Sequence, residues 1–331
     1  MTTLLNLIAA IALLVWGTHI VRTGVLRVYG AGLRQVLRRS MNGQATAFLA
    51  GLGVTGLLQS STATALLTSS FVAQGLLTTA AALAVMLGAD VGTAVMVQVL
   101  SLNLKWLAPL AITVGVVVYL SRRNERAGQI GRIILGFGVM ILALQLISAA
   151  TAPLAHGAGV KTLFAQISGD VLLDVVIGAV FSVLCYSSLA VVLLVATLAG
   201  SAVLPAHVAI PLVLGANLGS GILAMLTTWR SEAVTRRVPL GNFVFKAAGV
   251  VLALALLPFA SPWLKQLDMN PGDLVVAFHL GFNIALALVF MHFTGRVADL
   301  TEKWLPDGRS SENGAQPRYL DPLALGTPAL A

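Results

Sequence analysis

Residues 56–67 read GLLQSSTATALL: a glutamine and a run of hydroxyl side chains (Gln59, Ser60, Ser61, Thr62, Thr64) set inside an apolar stretch. Polar groups in such a setting are unfavourable unless something satisfies them. A degenerate echo, VLCYSSLAVVLL, occurs 127 positions later at 183–194. MLGADVGTAV at 86–95 and VLGANLGSGI at 213–222 form a second pair at the same interval of 127. Two motifs that keep one interval without a gap indicate an internal duplication. LLVWGTHIV near 13–21 and VMILALQLI near 139–147 follow loosely, at 126. The chain therefore reads as two copies, about 4–104 and 131–227, joined by one helix and followed by two more at about 240–260 and 273–294.

The surroundings of these motifs are those of a membrane protein. Of 331 residues, 58% are hydrophobic and only 10% charged, against about 25% charged in a soluble domain. Apolar runs at Leu4–Val21, Trp106–Leu120, Ile133–Ala150, Leu240–Ala260 and Leu274–Phe293 approach or reach the roughly 17–25 residues that cross a bilayer as helix. Trp106–Leu120 is short and needs Lys105 and Ser121 to complete it. The fold class is all-α polytopic. The net charge of +8 reads as basic loops that set orientation, not as a nucleic-acid surface. The single cysteine, Cys185, permits no intrachain disulfide. The opening MTTLLNLIAAIALLVWGTHI has neither a basic leader nor a small-residue cleavage site, so it reads as an uncleaved first helix.

Loop charges orient the copies. VRTGVLRVYGAGLRQVLRRS, before the first hydroxyl motif, carries Arg22, Arg27, Arg34, Arg38 and Arg39 with no acid. Its counterpart at about 150–170 has Lys161 against Asp170. Basic loops stay in the cytoplasm, which places the first inside and the second outside. SRRNERAGQIGR and WRSEAVTRRV then lie inside, and 260–273 outside. These assignments hold together if each hydroxyl motif is a re-entrant hairpin and each glycine motif interrupts a crossing helix. The result is seven crossings, the N-terminus outside, the C-terminus cytoplasmic and the two repeats inverted. Inverted repeats with broken helices are the architecture of secondary transporters, so the residues alone point to transport of a small solute.

A helix break at QSSTAT frees backbone N–H groups beside hydroxyls, which suits an anion. The oxygens of such breaks also suit sodium. The bland alternative is that Ser and Thr pack helices and bond back to their own carbonyls. Asp90, in GADVGT, is an ionisable group at membrane depth, either an ion or proton site or a structural partner. Its mate Asn217 is a neutral oxygen donor. His19, His207 and His292 read as membrane-edge packing residues, and His156 as a loop residue. His279 and Asn283 share a helix face, as do Asn242 and Lys246; these read as packing or support. Lys246 is close enough to the inner edge to snorkel, and Cys185 reads as a small buried hydrophobe.

QSSTAT, GADVGT, YSSLA and GANLGS, in this order and duplicated, resemble the type II sodium/phosphate cotransporters and their bacterial relatives. That family carries Q-S-S-S/T in each hairpin and G-A-N-x-G-T/S after it. LLVWGTHIVRTGV and ILGFGVMILALQLISAATAPL also look like its first helix of each repeat, and the resemblance spans about 4–295. It implies sodium-coupled uptake of inorganic phosphate at the cell (inner) membrane by a multi-pass protein; the sequence leaves the oligomeric state open, a homodimer being one option. The anion would be held between the hairpins by Gln59, Ser60, Ser61, Thr62, Ser187 and Ser188. Sodium, as coupling ion rather than resident cofactor, would be held by Thr64, Asp90, Thr93, Asn217 and Ser220. Four departures stand out: Tyr186 for the second glutamine, Leu189 for the next hydroxyl, Asp90 for the usual asparagine, and Lys246 where HxxFN ends in asparagine. Many bacterial members continue into a helical domain resembling the phosphate-regulation protein PhoU; here a polar cytoplasmic tail is expected over 296–331, disordered by composition. Another small anion, proton coupling through Asp90, and a non-transporting sensor or regulatory subunit remain open alternatives. An enzyme with Ser60 or Ser61 as nucleophile is rejected, because no histidine lies in a motif that would pair with them.

Overall fold

Backbone in a bilayer must satisfy its own hydrogen bonds, which leaves helices for an apolar chain without a barrel pattern. The computed structural model describes residues 2–39, 43–102, 105–122, 125–155 and 170–306, and they form helices with short connections. In chain order these are α1 (Thr2–Arg39), α2 (Gln44–Leu58), α3 (Ser61–Ala73), α4 (Thr79–Ser101), α5 (Leu107–Ser121) and α6 (Arg126–Ala155). They continue as α7 (Val171–Leu184), α8 (Ser188–Gly200), α9 (Ala206–Thr228), α10 (Ala233–Gln266), α11 (Pro271–Phe290) and α12 (Thr294–Trp304).

Among the described residues, six stretches are long and apolar enough to cross a membrane: α1, α4, α6, α9, α10 and α11 with α12. The seventh crossing expected at Trp106–Leu120 is α5, which has 15 residues and falls short of that length. Large apolar side chains cover the outside, Phe259 being 75% and Leu184 71% exposed. Water does not tolerate apolar surface on that scale. The protein is a multi-pass membrane protein.

Three expectations are corrected. First, the basic stretch 22–39 is not a loop but the second half of α1. Val21, Val25, Leu33 and Leu37 are buried, and their spacing in fours places them along one side of the helix; Arg27, Arg34 and Arg38 are exposed. Second, neither glycine motif breaks its helix, since α4 and α9 run unbroken through 86–95 and 213–222. The glycines serve close approach instead. A Cβ on Gly88 would strike the carbonyl of Phe48 and one on Gly51 that of Val85, because α2 lies directly on α4. The crossing of α7 on α9 repeats this with Gly215 against Val175 and Gly178 against Leu212, every position 127 further on. Third, the tail expected from 296 opens with α12, whose Val297, Ala298 and Thr301 are buried. Thr79 at the start of α4 donates to Glu302 at 2.9 Å, and Arg237 on α10 donates to the Leu305 carbonyl at 2.9 and 3.0 Å. The expected loop sites His156 and Lys161, and the tail from 307, lie outside the described residues.

Candidate functional site

The two hydroxyl motifs form the same local structure. α2 ends at Leu58 and α3 begins at Ser61, so the chain breaks at Gln59 and Ser60. Gln59 takes a left-handed backbone, φ 54° and ψ 26°. Ser60 is extended and caps α3, its Oγ accepting the Ala63 N–H at 3.2 Å. In the second copy Tyr186 is left-handed, φ 52°. Ser187 is extended and caps α8, its Oγ accepting the Ala190 N–H at 3.1 Å. Serine suits this position because its oxygen satisfies an amide that the first turn leaves without a partner. Thr55 and Thr64 lie on either side of the first break, their Oγ1 atoms 2.7 Å apart. Nine residues of straight helix would separate them by about 13 Å, so α2 and α3 converge on one another.

Both tips face one cleft of about 430 Å³, lined by Gln59 and Ser60 from one copy, Cys185, Tyr186 and Ser187 from the other, and Thr18, His19 and Arg22 from α1. Arg22 Nη1 donates to Ser60 Oγ at 3.3 Å. No carboxylate lines the cleft among the described residues. Two helix N-termini, each carrying a fraction of positive charge, together with a guanidinium make a field for an anion. The Gln59 side chain is 3% exposed, and neither Nε2 nor Oε1 has a hydrogen-bond partner. A buried amide with both ends idle is rare in folded proteins and calls for a ligand or water. A second cleft of about 220 Å³, near the end of α4, contains Asp273 and neither tip, and so lacks this chemistry.

Of the six residues expected to hold the anion, the structure brings Gln59, Ser60 and Ser187 into the cleft, while Ser61, Thr62 and Ser188 are not among its lining residues. Ser61 and Ser188 are the first helical residues behind the caps. His19, expected to pack at the membrane edge, and Arg22, expected in a basic loop, line the cleft instead. Their signal was a basic residue one turn beyond a histidine on a helix that continues past the apolar run.

The five residues expected to hold sodium do not form one cluster of free oxygens. Thr64 is engaged with Thr55 at the first tip. Thr93 donates to its own helix at Ala89, 3.1 Å away. Ser220 donates to the Asn217 carbonyl at 2.7 Å, and the Asn217 amide to Val213 at 2.9 Å. Asp90 Oδ1 lies 2.8 Å from Lys246 Nζ, and both side chains are buried. Lys246 also donates to Ser220 Oγ at 2.9 Å. It therefore does not snorkel to the membrane edge as expected; it is 2% exposed and bridges α4 to α9. His279 and Asn283, expected to pack or support, are buried, and the Asn283 amide donates to the His279 carbonyl at 2.8 Å.

The sequence profile of the family described as Na+/Pi-cotransporter matches residues 13–149 and 151–292. The chain belongs to the Na+/Pi-cotransporter family. Within it, the chain is 47% identical over 331 residues to an Escherichia coli K12 protein named "Putative inorganic phosphate export protein YjbB", covering all of this chain and 61% of that one. The Salmonella typhimurium protein of the same name is 48% identical over 334 residues, again with 61% of its length covered. The chain thus spans about three-fifths of the length of these relatives. The Bacillus subtilis protein named "Uncharacterized protein YqeW" is 24% identical over 307 residues, covering 92% of this chain and 99% of that one. No solved structure matches. The family's description is that of a transporter of sodium and phosphate.

Proposed function

We propose that the protein carries inorganic phosphate across a membrane and holds the anion in the cleft between the two tips. The observation that carries this reading is Gln59, a buried amide with no partner at either end, beside a serine already touched by Arg22. A tetrahedral oxyanion accepts hydrogen bonds on every side. It can take donors from the Gln59 amide, the Arg22 fork and the cap hydroxyls at once. Each hairpin helix is about 20 Å long, roughly 13–15 residues at 1.5 Å each, too short for the roughly 30 Å hydrocarbon core. This supports re-entrant tips that meet at depth from opposite faces in inverted repeats. The clustering of basic residues at the end of α1 and at 229–238 supports an outer N-terminus and a cytoplasmic C-terminus.

The relatives' printed name supports the outward direction. A specific observation favours a second reading, sodium-coupled uptake: the family's own description names sodium with phosphate. The two readings differ in driving force, since an inward sodium gradient pulls a co-bound anion inward. Purified protein in liposomes loaded with labelled phosphate separates them. Efflux down the phosphate gradient, unchanged when sodium is replaced by choline, supports the first reading. Accumulation that requires an inward sodium gradient supports the second. Neither flux above that of empty liposomes would end both.

A further inference from the structure

Two of the four departures from the family pattern, Asp90 and Lys246, are in contact with each other. The carboxylate and the ammonium are 2.8 Å apart and shut off from solvent. The ammonium also reaches Ser220 Oγ at 2.9 Å, so it joins a carboxylate of the first copy to a hydroxyl of the second. Ser220 occupies the position that Thr93 holds in the first copy, 127 residues earlier. Room has been left for the lysine stem: a Cβ on Gly221 would lie 3.3 Å from Lys246 Cδ. The second copy has Asn217 at the position of Asp90, and Asn283 ends the HLGFN motif where Lys246 ends NFVFK. The matching positions of the paired motifs thus carry neutral amides where Asp90 and Lys246 carry charges.

A carboxylate, a hydroxyl and a carbonyl held at membrane depth are the donors a small monovalent cation requires. Here one carboxylate oxygen, Asp90 Oδ1, and the Ser220 hydroxyl already face a cation on the chain. The sodium ligands expected from the sequence therefore do not fit a free ion at Asp90 and Ser220. We propose that the Lys246 ammonium is a tethered cation, holding the place a diffusible monovalent cation would otherwise take between Asp90 and Ser220, so that this position takes no sodium. It supplies the neutralising charge permanently and cannot leave with the anion. The transport reading matters only for the consequence, that phosphate movement is not coupled to sodium through this position.

The test reads sodium alone, without phosphate, so its failure is distinguishable from failure of the transport reading. Unfolding temperatures of purified protein are compared in sodium chloride and choline chloride at equal ionic strength. The wild type should unfold at the same temperature in both salts. Lys246→Gln, which leaves Asp90 without its partner, should be stabilised by sodium by about 2 °C or more, as expected for a ligand bound only by the native state. Asp90→Asn/Lys246→Asn removes both charges yet leaves oxygen donors, and should gain a sodium response in the same direction, smaller than that of Lys246→Gln because the carboxylate is gone; it carries the test if Lys246→Gln does not accumulate. Asp90→Leu/Lys246→Met, without oxygens, should gain none. A wild type stabilised by sodium as strongly as the double asparagine variant, or a double asparagine variant indifferent to sodium, would overturn the proposal.

Discussion

Gln59 and Tyr186 stand 127 positions apart and share one left-handed backbone conformation, φ 54° and 52°. Each precedes a serine that caps the next helix. The tip geometry is therefore duplicated while its side chain is not. One tip presents a buried amide, the other a tyrosine that is 63% exposed. Left-handed backbone is unfavourable for a residue with a Cβ by roughly 1–2 kcal/mol, so glycine at 59 separates side chain from shape. Gln59→Gly should keep or raise thermal stability while weakening phosphate binding. One hydrogen bond to a charged ligand is worth about 1.5–3 kcal/mol, roughly ten- to hundredfold in Kd. Calorimetric titration checks this; unchanged affinity would remove Gln59 from the site.

The glycine crossings make a packing prediction. Gly88→Ala should destabilise by about 1–3 kcal/mol, the range for overpacking a tight contact, because its Cβ meets the Phe48 carbonyl. Gly215→Ala should do the same in the second copy, where Val175 takes that place. Gly53→Ala, on the open side of α2 with nothing within 4 Å, should be neutral or slightly stabilising. Unfolding temperatures of the three variants suffice, and equal effects would show that the crossings are not as close as described.

Asp90→Asn restores the residue usual for the family, yet it should be harmful here. It leaves the Lys246 ammonium buried without its counter-charge, and removing one partner of a buried pair costs about 3–5 kcal/mol. Asp90→Asn/Lys246→Asn should recover most of that loss. A double-mutant cycle by chemical denaturation reads the coupling directly; additive losses would mean that the two charges do not depend on each other.

Much of this was legible in the sequence because apolar chains make polar exceptions conspicuous. The tips were found from Gln59 and its hydroxyl neighbours, and the duplication from a fixed interval that survives the loss of side-chain identity at Tyr186. What failed shares a cause. Arg22–Arg39 reads as a loop by its charge, although Val21, Val25, Leu33 and Leu37 mark a buried helix side. The paired glycines looked like breaks because glycine permits both a break and a close approach, and local sequence does not distinguish them. Lys246 looked like an edge residue because its partner, Asp90, is distant in sequence; only the packing of α10 on α4 and α9 brings the pair together.

Orientation is open to direct labelling at the two ends of α10. Glu232 caps one end and Asp268 follows the other, both exposed. In a Cys185→Ser background, a membrane-impermeant thiol reagent applied outside intact cells should modify Asp268→Cys and spare Glu232→Cys. The opposite pattern would reverse the assigned orientation. Asn124, in the basic linker sequence, and Gly159, in the stretch 150–170, lie outside the described residues but should follow the same rule, Gly159→Cys labelled and Asn124→Cys protected.

The most direct test of the account uses the chain's own single cysteine. Cys185 lines the cleft between Tyr186 and the end of α7, in the same space as Gln59, Ser60 and Arg22. Its rate of alkylation by a small maleimide is measured in purified protein as inorganic phosphate is added, with chloride at matched ionic strength as the control. Bound phosphate should slow the reaction saturably. Arg22→Met, which removes the guanidinium that touches Ser60, should shift that protection to at least about tenfold higher phosphate. Alkylation indifferent to phosphate, or protection unchanged in Arg22→Met, would contradict an anion site between the two tips.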